Sequence, residues 1–178
     1  NFPSIESRLI IPFNMPILSP HSLEIISRSP EQTRRVGMRL GGLLRPGDVV
    51  CLVGELGSGK TTLVQGIAAG WGSLDPVSSP TFVLLNVYRR ANGQRLFHLD
   101  AYRISGAPEA EQLDLEIYLE KGPLIVEWAE RIRPALPSEH LWTTLTWVDD
   151  SQRDLIFAAH GLRFQNMLAG FRKRVYGG

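Results

Sequence analysis

The segment Gly54–Thr61 (GELGSGKT) constrains the fold of this chain more than any other sequence feature. The apolar run at 49–53 before it predicts a buried strand, and residues 62–69 after it carry apolar side chains at helical spacing. Strand, glycine loop and helix in this order are the context that a phosphate-binding P-loop requires. The alternative is a glycine-rich turn that matches the pattern by chance, and the flanking strand and helix count against it.

The residue types of this loop suit a nucleotide triphosphate. Glycines let the backbone curl so that N–H groups point at phosphate oxygens, and the helix N-terminus adds partial positive charge. We expect Lys60 to act on the β- and γ-phosphates as a catalytic residue and Thr61 to ligate Mg²⁺. The predicted nucleotide-binding residues of the loop are Glu55, Leu56, Gly57, Ser58, Gly59, Lys60, Thr61 and Thr62.

Composition limits the class of protein. The chain has 178 residues, 43% hydrophobic and 21% charged, which is typical of one soluble globular domain. A net charge of +1 does not indicate a protein that wraps nucleic acid, so contact with RNA would need a local patch or a partner. The single cysteine, Cys51, excludes a disulfide within the chain and favours a cytoplasmic location.

The first 20 residues differ from the rest. We expect residues 1–20 to be a flexible extension or an added segment, with Met15 as a candidate natural start, and residues 21–178 to form a single P-loop ATPase domain. The apolar stretch at 9–18 is short and interrupted by two prolines, so we expect no association with a membrane.

The remaining pattern predicts an α/β, P-loop NTPase-like three-layer fold. Asn92-Gly93 is a hairpin signal that should pair residues 82–88 with residues 95–99. Antiparallel pairing directly after a P-loop unit predicts a mixed central sheet, parallel plus antiparallel. The other predicted strands are 22–27, 124–126, 140–148 and 154–160, and the other predicted helices are 30–44, 108–120 and 164–175.

Two acidic residues end apolar runs in the way that a P-loop protein needs. Glu127 follows Leu124–Val126, and Asp100 follows the run that begins at Leu96. We assign Glu127 to magnesium and Asp100 to activation of the attacking water, both as catalytic residues, and the two roles could be exchanged. The alternative for each is a strand-end carboxylate that faces water.

Several neighbouring residues have both a functional and an ordinary interpretation. Thr81 lies where nucleotide switch residues commonly sit, or it serves only the turn around Pro80. His98 shares a strand face with Asp100, two residues later. It either reaches the site or is a hydrogen-bonded structural histidine. Trp128 could stack on a base or lie in the core; Arg103 and Arg131 could stabilise charge or form surface ion pairs.

Four separated segments together resemble one known family: Gly54–Thr62, Ser79–Phe82, His98–Arg103 and Glu127–Glu130. They are similar to the bacterial TsaE (YjeE) family, the small ATPases of threonylcarbamoyladenosine tRNA modification. The resemblance extends from about Ser22 to about Gly161. The P-loop alone would indicate only a nucleotide, and the other three segments make the match specific.

The resemblance implies a P-loop α/β domain that binds ATP and Mg²⁺ and hydrolyses ATP weakly alone. Members act with the TsaD and TsaB proteins, whose complex modifies the adenosine beside the anticodon, so tRNA is an indirect partner. The nucleotide site implied by matching position comprises Lys60, Thr61, Thr81, Asp100 and Glu127. The resemblance also implies that Thr33 lies near the nucleotide.

Two other classes of function stay open at this point. A small-molecule P-loop kinase would use a mobile lid, for which Arg131–Arg133 is the candidate. A nucleotide-sensing binding module would hold ATP without meaningful turnover. The hairpin after the P-loop unit fits the plan of a kinase poorly.

Overall fold

The central strand of the sheet is the apolar run that precedes the glycine loop. A computed structural model of the protein describes residues 19–78 and 84–177. Seven strands form one sheet in the order β1-β7-β6-β2-β5-β4-β3. The strands are β1 Ser22–Ser27, β2 Val49–Val53, β3 Leu85–Arg89, β4 Arg95–Asp100, β5 Leu124–Glu127, β6 His140–Asp149 and β7 Gln152–His160.

The sheet is mixed, as the sequence predicts. Strand β2 pairs in parallel with β5 and with β6, and β4 pairs in parallel with β5. The pairs β3/β4, β6/β7 and β1/β7 are antiparallel. Strands β1, β2, β4 and β5 therefore all end at the same edge of the sheet, and the P-loop leaves β2 at that edge.

Helices cover both faces of the sheet, which confirms the three-layer prediction. They are α1 Pro30–Gly41, α2 Lys60–Trp71, α3 Ala107–Glu111, α4 Leu115–Leu119 and α5 Leu162–Tyr176. Side chains of β2 alternate between the layers: Val50 and Leu52 pack with α1, α2 and α5, whereas Val49 and Cys51 pack with α3 and α4. Two 3₁₀ turns, Ala129–Arg131 and Arg133–Ala135, complete the second layer.

Helices α1 and α2 pack backbone to backbone. A methyl group on Gly66 would overlap the carbonyl oxygen of Arg34, and one on Gly70 would overlap that of Met38. Because Arg34 faces Gly66 and Met38 faces Gly70, the two helices run in the same direction. Both helix N-termini therefore lie at the edge of the sheet that carries the P-loop.

The structure corrects three details of the predicted elements. The helix expected over residues 108–120 is two short helices, because Asp114 between them has a left-handed backbone with φ 49°. Helix α1 ends at Gly41 and leaves Leu44 beyond it in the core, and β3 begins at Leu85.

Candidate active site

The glycine loop connects β2 to α2 and keeps the helix N-terminus open. Gly59 is the N-cap residue of α2 with φ 103°, a conformation that disfavours other residues, and no side chain caps the helix. A Cβ atom on Gly54 would lie 2.5 Å from the carbonyl oxygen of Leu145 and 2.6 Å from Oγ of Ser58. Because no side chain caps α2, the N–H groups of its first turn are available to an anion, as P-loop chemistry requires.

Lys60, the first residue of α2, is held against its own loop. Its Nζ donates hydrogen bonds to the carbonyl oxygens of Gly54 and Glu55, the latter at 2.9 Å. The ammonium also lies 4.2 Å from the ring centroid of Trp128, a cation–π distance. Burial lowers the pKa of Lys60, and the nearby carboxylates of Glu127, Glu130 and Asp100 oppose that change.

Asp100 and Glu127 lie side by side at the tips of two parallel strands. They are register partners across β4 and β5, and the N–H of Ala101 donates to the carbonyl oxygen of Glu127 at 3.0 Å. Glu127 is also the register partner of Leu52 in β2, just before the glycine loop. Both acids therefore lie at the edge of the sheet from which the P-loop leaves β2.

The two carboxylates have different surroundings. Burial raises the pKa of Asp100, while the N–H of Tyr102, which donates to its Oδ1 at 2.9 Å, acts in the opposite direction. Glu127 is buried and accepts a hydrogen bond from Nε2 of His98 at 2.8 Å. Asp100 is therefore the carboxylate better suited to exchange a proton with water, and Glu127 is the one held in a fixed orientation.

His98 is fully buried and links Glu127 to Tyr88, whose hydroxyl lies 2.9 Å from its Nδ1. The sequence allows His98 either a place at the site or a structural role, and the geometry shows a buried, hydrogen-bonded histidine that contacts Glu127. Tyr88 was missed entirely. The hairpin signal could have found it, because the register that Asn92-Gly93 sets pairs Tyr88 with Leu96, two residues before His98.

An aromatic and cationic group borders the acidic tips. The ring centroids of Trp128 and Tyr102 are 4.9 Å apart, and the guanidinium of Arg131 lies 4.9 Å from the Tyr102 centroid. Trp128 has a left-handed backbone, with φ 57°, directly after Glu127. Its indole is half-buried between Lys60 and Arg131, so it lies at the site and not in the core alone.

The other loop residues differ in exposure. Glu55, Leu56 and Gly57 are exposed, with Leu56 at 92%, and the N-terminal residues Thr61 and Thr62 of α2 are half-buried. Ser58 is buried, and its Oγ has no hydrogen-bond partner among the described residues.

Thr33 and Thr81 are the remaining residues that the sequence predicts at the nucleotide site. Thr33 is buried in the first turn of α1, at the same edge of the sheet, and its hydroxyl bonds to Oγ of Ser27 at 2.7 Å. Its predicted position near a nucleotide stays a prediction. Thr81 lies outside the described residues, as does Ser79.

The residues at this edge fit a magnesium nucleotide by their chemistry. Carboxylate and hydroxyl oxygens, here from Glu127, Asp100 and Thr61, are ligands that Mg²⁺ accepts together with phosphate oxygens and water. Over residues 19–78 and 84–177, no three His, Cys, Asp or Glu side chains cluster to hold a metal ion by themselves.

The three-layer fold with its mixed sheet, together with the loop between β2 and α2, defines a P-loop protein of the α/β class. The sequence model of the family described as threonylcarbamoyl adenosine biosynthesis protein TsaE matches residues 27–155. The chain belongs to the TsaE family, which confirms the resemblance. In the part of the chain that the structure covers, no helix combines the length and apolarity needed to cross a bilayer.

Relatives named tRNA threonylcarbamoyladenosine biosynthesis protein TsaE are similar over most of the chain. The Bacillus subtilis protein is 37% identical over 138 residues, 77% of this chain and 85% of the relative. The Treponema pallidum protein is 35% identical over 137 residues, 76% of this chain and 100% of the relative. The crystal structure of Bacillus subtilis YdiB superposes with a TM-score of 0.72 at 30% identity, covering 86% of this chain and 96% of YdiB.

Proposed function

We propose that this protein hydrolyses ATP with Mg²⁺ and thereby supports threonylcarbamoyl modification of the tRNA adenosine next to the anticodon. It would act in the cytoplasm as a subunit of a complex with TsaD and TsaB, and would meet tRNA through that complex. The observation that carries the proposal is the pairing of Asp100 and Glu127 at adjacent strand tips. Lys60 lies near enough that both carboxylates raise its pKa. The family supplies the pathway.

The loop and Lys60 would bind the triphosphate. Main-chain N–H groups at the start of α2 donate to phosphate oxygens, and the Lys60 ammonium adds positive charge where negative charge accumulates on the leaving phosphate. Thr61 and Glu127 would hold Mg²⁺, which neutralises charge on the β- and γ-phosphates when it is bound. Thr62, Thr33 and Thr81 complete the proposed nucleotide site.

Asp100 would orient the attacking water and accept its proton. The raised pKa brings this carboxyl closer to the range in which a base works best, and ionised Asp100 is the form required. Its backbone bond to Tyr102 fixes one oxygen and leaves the other for water. In this mechanism positioning and charge do most of the work, as is general for phosphoryl transfer.

The decisive variant is Asp100→Asn, which keeps the size and the bond from Tyr102 but removes the base. We expect ATP affinity within about threefold of the wild type, and turnover lower by about 10²-fold or more. Asp114→Asn is the matched control, because Asp114 is exposed and asparagine also tolerates its left-handed backbone. Equal turnover in wild type and Asp100→Asn would remove Asp100 from the mechanism and favour a binding module.

Turnover should be low without partners. Two arginines lie near the site: Arg131 rests on the Tyr102 ring, and Arg153 donates to the carbonyl oxygen of Gly57 at 3.3 Å. An arginine finger added by a partner is worth about 10³–10⁵ in rate. A pull-down with TsaD and TsaB, with and without ATP, followed by an ATPase assay, tests the assembly. Failure to bind either protein would refute the partner assignment, and formation of a phosphorylated small molecule would favour a kinase.

A further inference from the structure

A buried chain of three polar side chains runs from β3 to the site. Oη of Tyr88 lies 2.9 Å from Nδ1 of His98, and Nε2 of His98 lies 2.8 Å from Oε2 of Glu127. All three residues are at most 3% exposed. Buried polar groups cost stability unless they are satisfied, and here each one satisfies the next.

The donors and acceptors of this chain follow from the chemistry of its ends. The ionised carboxylate of Glu127 can only accept, so Nε2 of His98 donates. In the neutral imidazole, Nδ1 is then the acceptor, and the Tyr88 hydroxyl donates a hydrogen bond to it. Burial raises the pKa of Tyr88 to about 12, so this hydroxyl keeps its proton. The imidazole is therefore held in one tautomer with its N–H directed at Glu127.

We propose that His98 is a positioning residue that fixes the orientation of the Glu127 carboxylate for the reaction, and that Tyr88 fixes the tautomer of His98. The inference rests on the proposed function, because it assigns Glu127 to magnesium. A carboxylate held through one oxygen cannot rotate freely, so its other oxygen is presented in a constant direction. Loss of such a hydrogen bond to a metal ligand typically lowers metal affinity or activity by about 10–100-fold.

A purely structural role would require less. Tyr88 and His98 pack among apolar residues, where apolar side chains of similar size would fill the space without needing partners. The series of hydrogen bonds instead ends on Glu127. This residue is the register partner of both Asp100 and Leu52, so it lies between the second acid and the P-loop strand. The polar residues are thus directed at the site.

Comparing His98→Leu with His98→Gln tests the positioning role. Leucine removes the donor at similar volume, while the glutamine amide places an N–H close to the position of Nε2. We expect kcat of His98→Leu to fall by about 10–100-fold, and both the KM for ATP and the Mg²⁺ concentration for half-maximal rate to rise. Glutamine should recover most of the loss. Tyr88→Phe should cost about 2–10-fold, the range of one neutral hydrogen bond.

Tyr118→Phe is the matched control, because it also removes one hydroxyl from a ring packed in the fold, against Phe97 at 5.1 Å. Thermal unfolding establishes that each variant is folded. If His98→Leu does not fold, His98→Gln and Tyr88→Phe carry the test. Wild-type kcat and Mg²⁺ dependence in these variants, or equal impairment by glutamine and leucine, would overturn the positioning role.

The outcome must also be separable from failure of the proposed function. A wild-type protein without ATPase activity, alone or with partners, would refute that function directly. The positioning role is then tested by ATP affinity with and without Mg²⁺. Mg²⁺ should strengthen ATP binding about 10–100-fold less in His98→Leu than in wild type, while affinity in EDTA stays equal. An unchanged Mg²⁺ effect would contradict the inference without bearing on hydrolysis.

Discussion

The two sides of the candidate site are built from different material. On the phosphate side, the loop and the pair α1/α2 use main-chain groups and glycines, and the helix backbones touch. On the acid side, the tips of β4 and β5 use side chains, and Glu127 depends on His98 and Tyr88 for its orientation. One side is specified by where side chains are missing, the other by which side chains are present.

This difference predicts opposite sensitivities. The phosphate side should tolerate changes of exposed side chains, such as Leu56, whose side chain projects into solvent. It should not tolerate any added atom between the helices. The acid side should tolerate changes of backbone propensity and fail when single polar atoms are removed.

The largest effect is expected from Gly66→Val and Gly70→Val. Each places side-chain atoms where the carbonyl oxygens of Arg34 and Met38 lie, so α1 must separate from α2. We expect a loss of more than about 3 kcal/mol in the free energy of unfolding, beyond ordinary overpacking. Denaturant unfolding followed by circular dichroism measures it.

The matched control for the helix pair is Gly170→Ala in α5. A methyl group there would meet only Leu43 at 3.7 Å, an ordinary contact, and should raise stability by about 0.5–1 kcal/mol through helix propensity. Unfolding free energies of Gly66→Val and Gly170→Ala that changed alike would show that helix contact does not determine the fold here.

Lys60→Ala should have the next largest effect, and it acts on binding. Loss of a charge-assisted bond of about 1.5–3 kcal/mol predicts ATP affinity lower by roughly 10- to 150-fold. Titration calorimetry with a slowly hydrolysed ATP analogue measures this, and thermal unfolding should show an intact fold. Unaltered affinity would mean that the phosphates do not occupy the loop at Gly57–Thr61.

The phosphate side could be predicted from sequence because its signals are local. The strand, the glycines and the helix are adjacent along the chain, and each restricts the backbone directly. The mixed sheet followed from a single hairpin signal at Asn92-Gly93. Both carboxylates were recognised because an apolar run that stops at an acid is also a local pattern.

The acid side could be predicted only in part, because its contacts are non-local. His98 and Glu127 are 29 residues apart, and only the register between β4 and β5 brings their side chains together. The break at Asp114 was missed for a related reason. The sequence has helical periodicity on both sides of Asp114. The left-handed residue that separates the two helices is an aspartate and not a glycine, so the sequence does not indicate the break.

Ser29→Ala tests the N-terminus of α1, which belongs to the phosphate side. Oγ of Ser29 accepts a hydrogen bond from the N–H of Gln32 at 3.1 Å and caps the helix. Its loss should cost about 1 kcal/mol of stability, with Ser29→Asp close to neutral. Denaturant unfolding of the two variants gives the comparison, and equal stability of both would show that this cap does not hold α1 in place.

The smallest effect is expected from Asp100→Asn on stability, and it opposes the effect on turnover. Because burial raises the folded-state pKa of Asp100 above its unfolded value, folding favours the protonated carboxyl. Stability from this group is fully present below the unfolded pKa and is lost as pH rises through the folded pKa. At neutral pH the ionised carboxylate therefore destabilises the fold, whereas asparagine does not ionise.

We accordingly expect Asp100→Asn to unfold at a higher temperature than the wild type at pH 7, with the difference shrinking as pH falls through the folded-state pKa and levelling off below the unfolded-state pKa. Asparagine keeps an oxygen for the N–H of Tyr102, so that bond does not confound the comparison. Thermal unfolding of both proteins from pH 3 to pH 8 measures the effect. A stability difference that is constant with pH would mean that folding does not raise the pKa of Asp100. The ionised carboxylate would then not lower the stability of the fold at neutral pH.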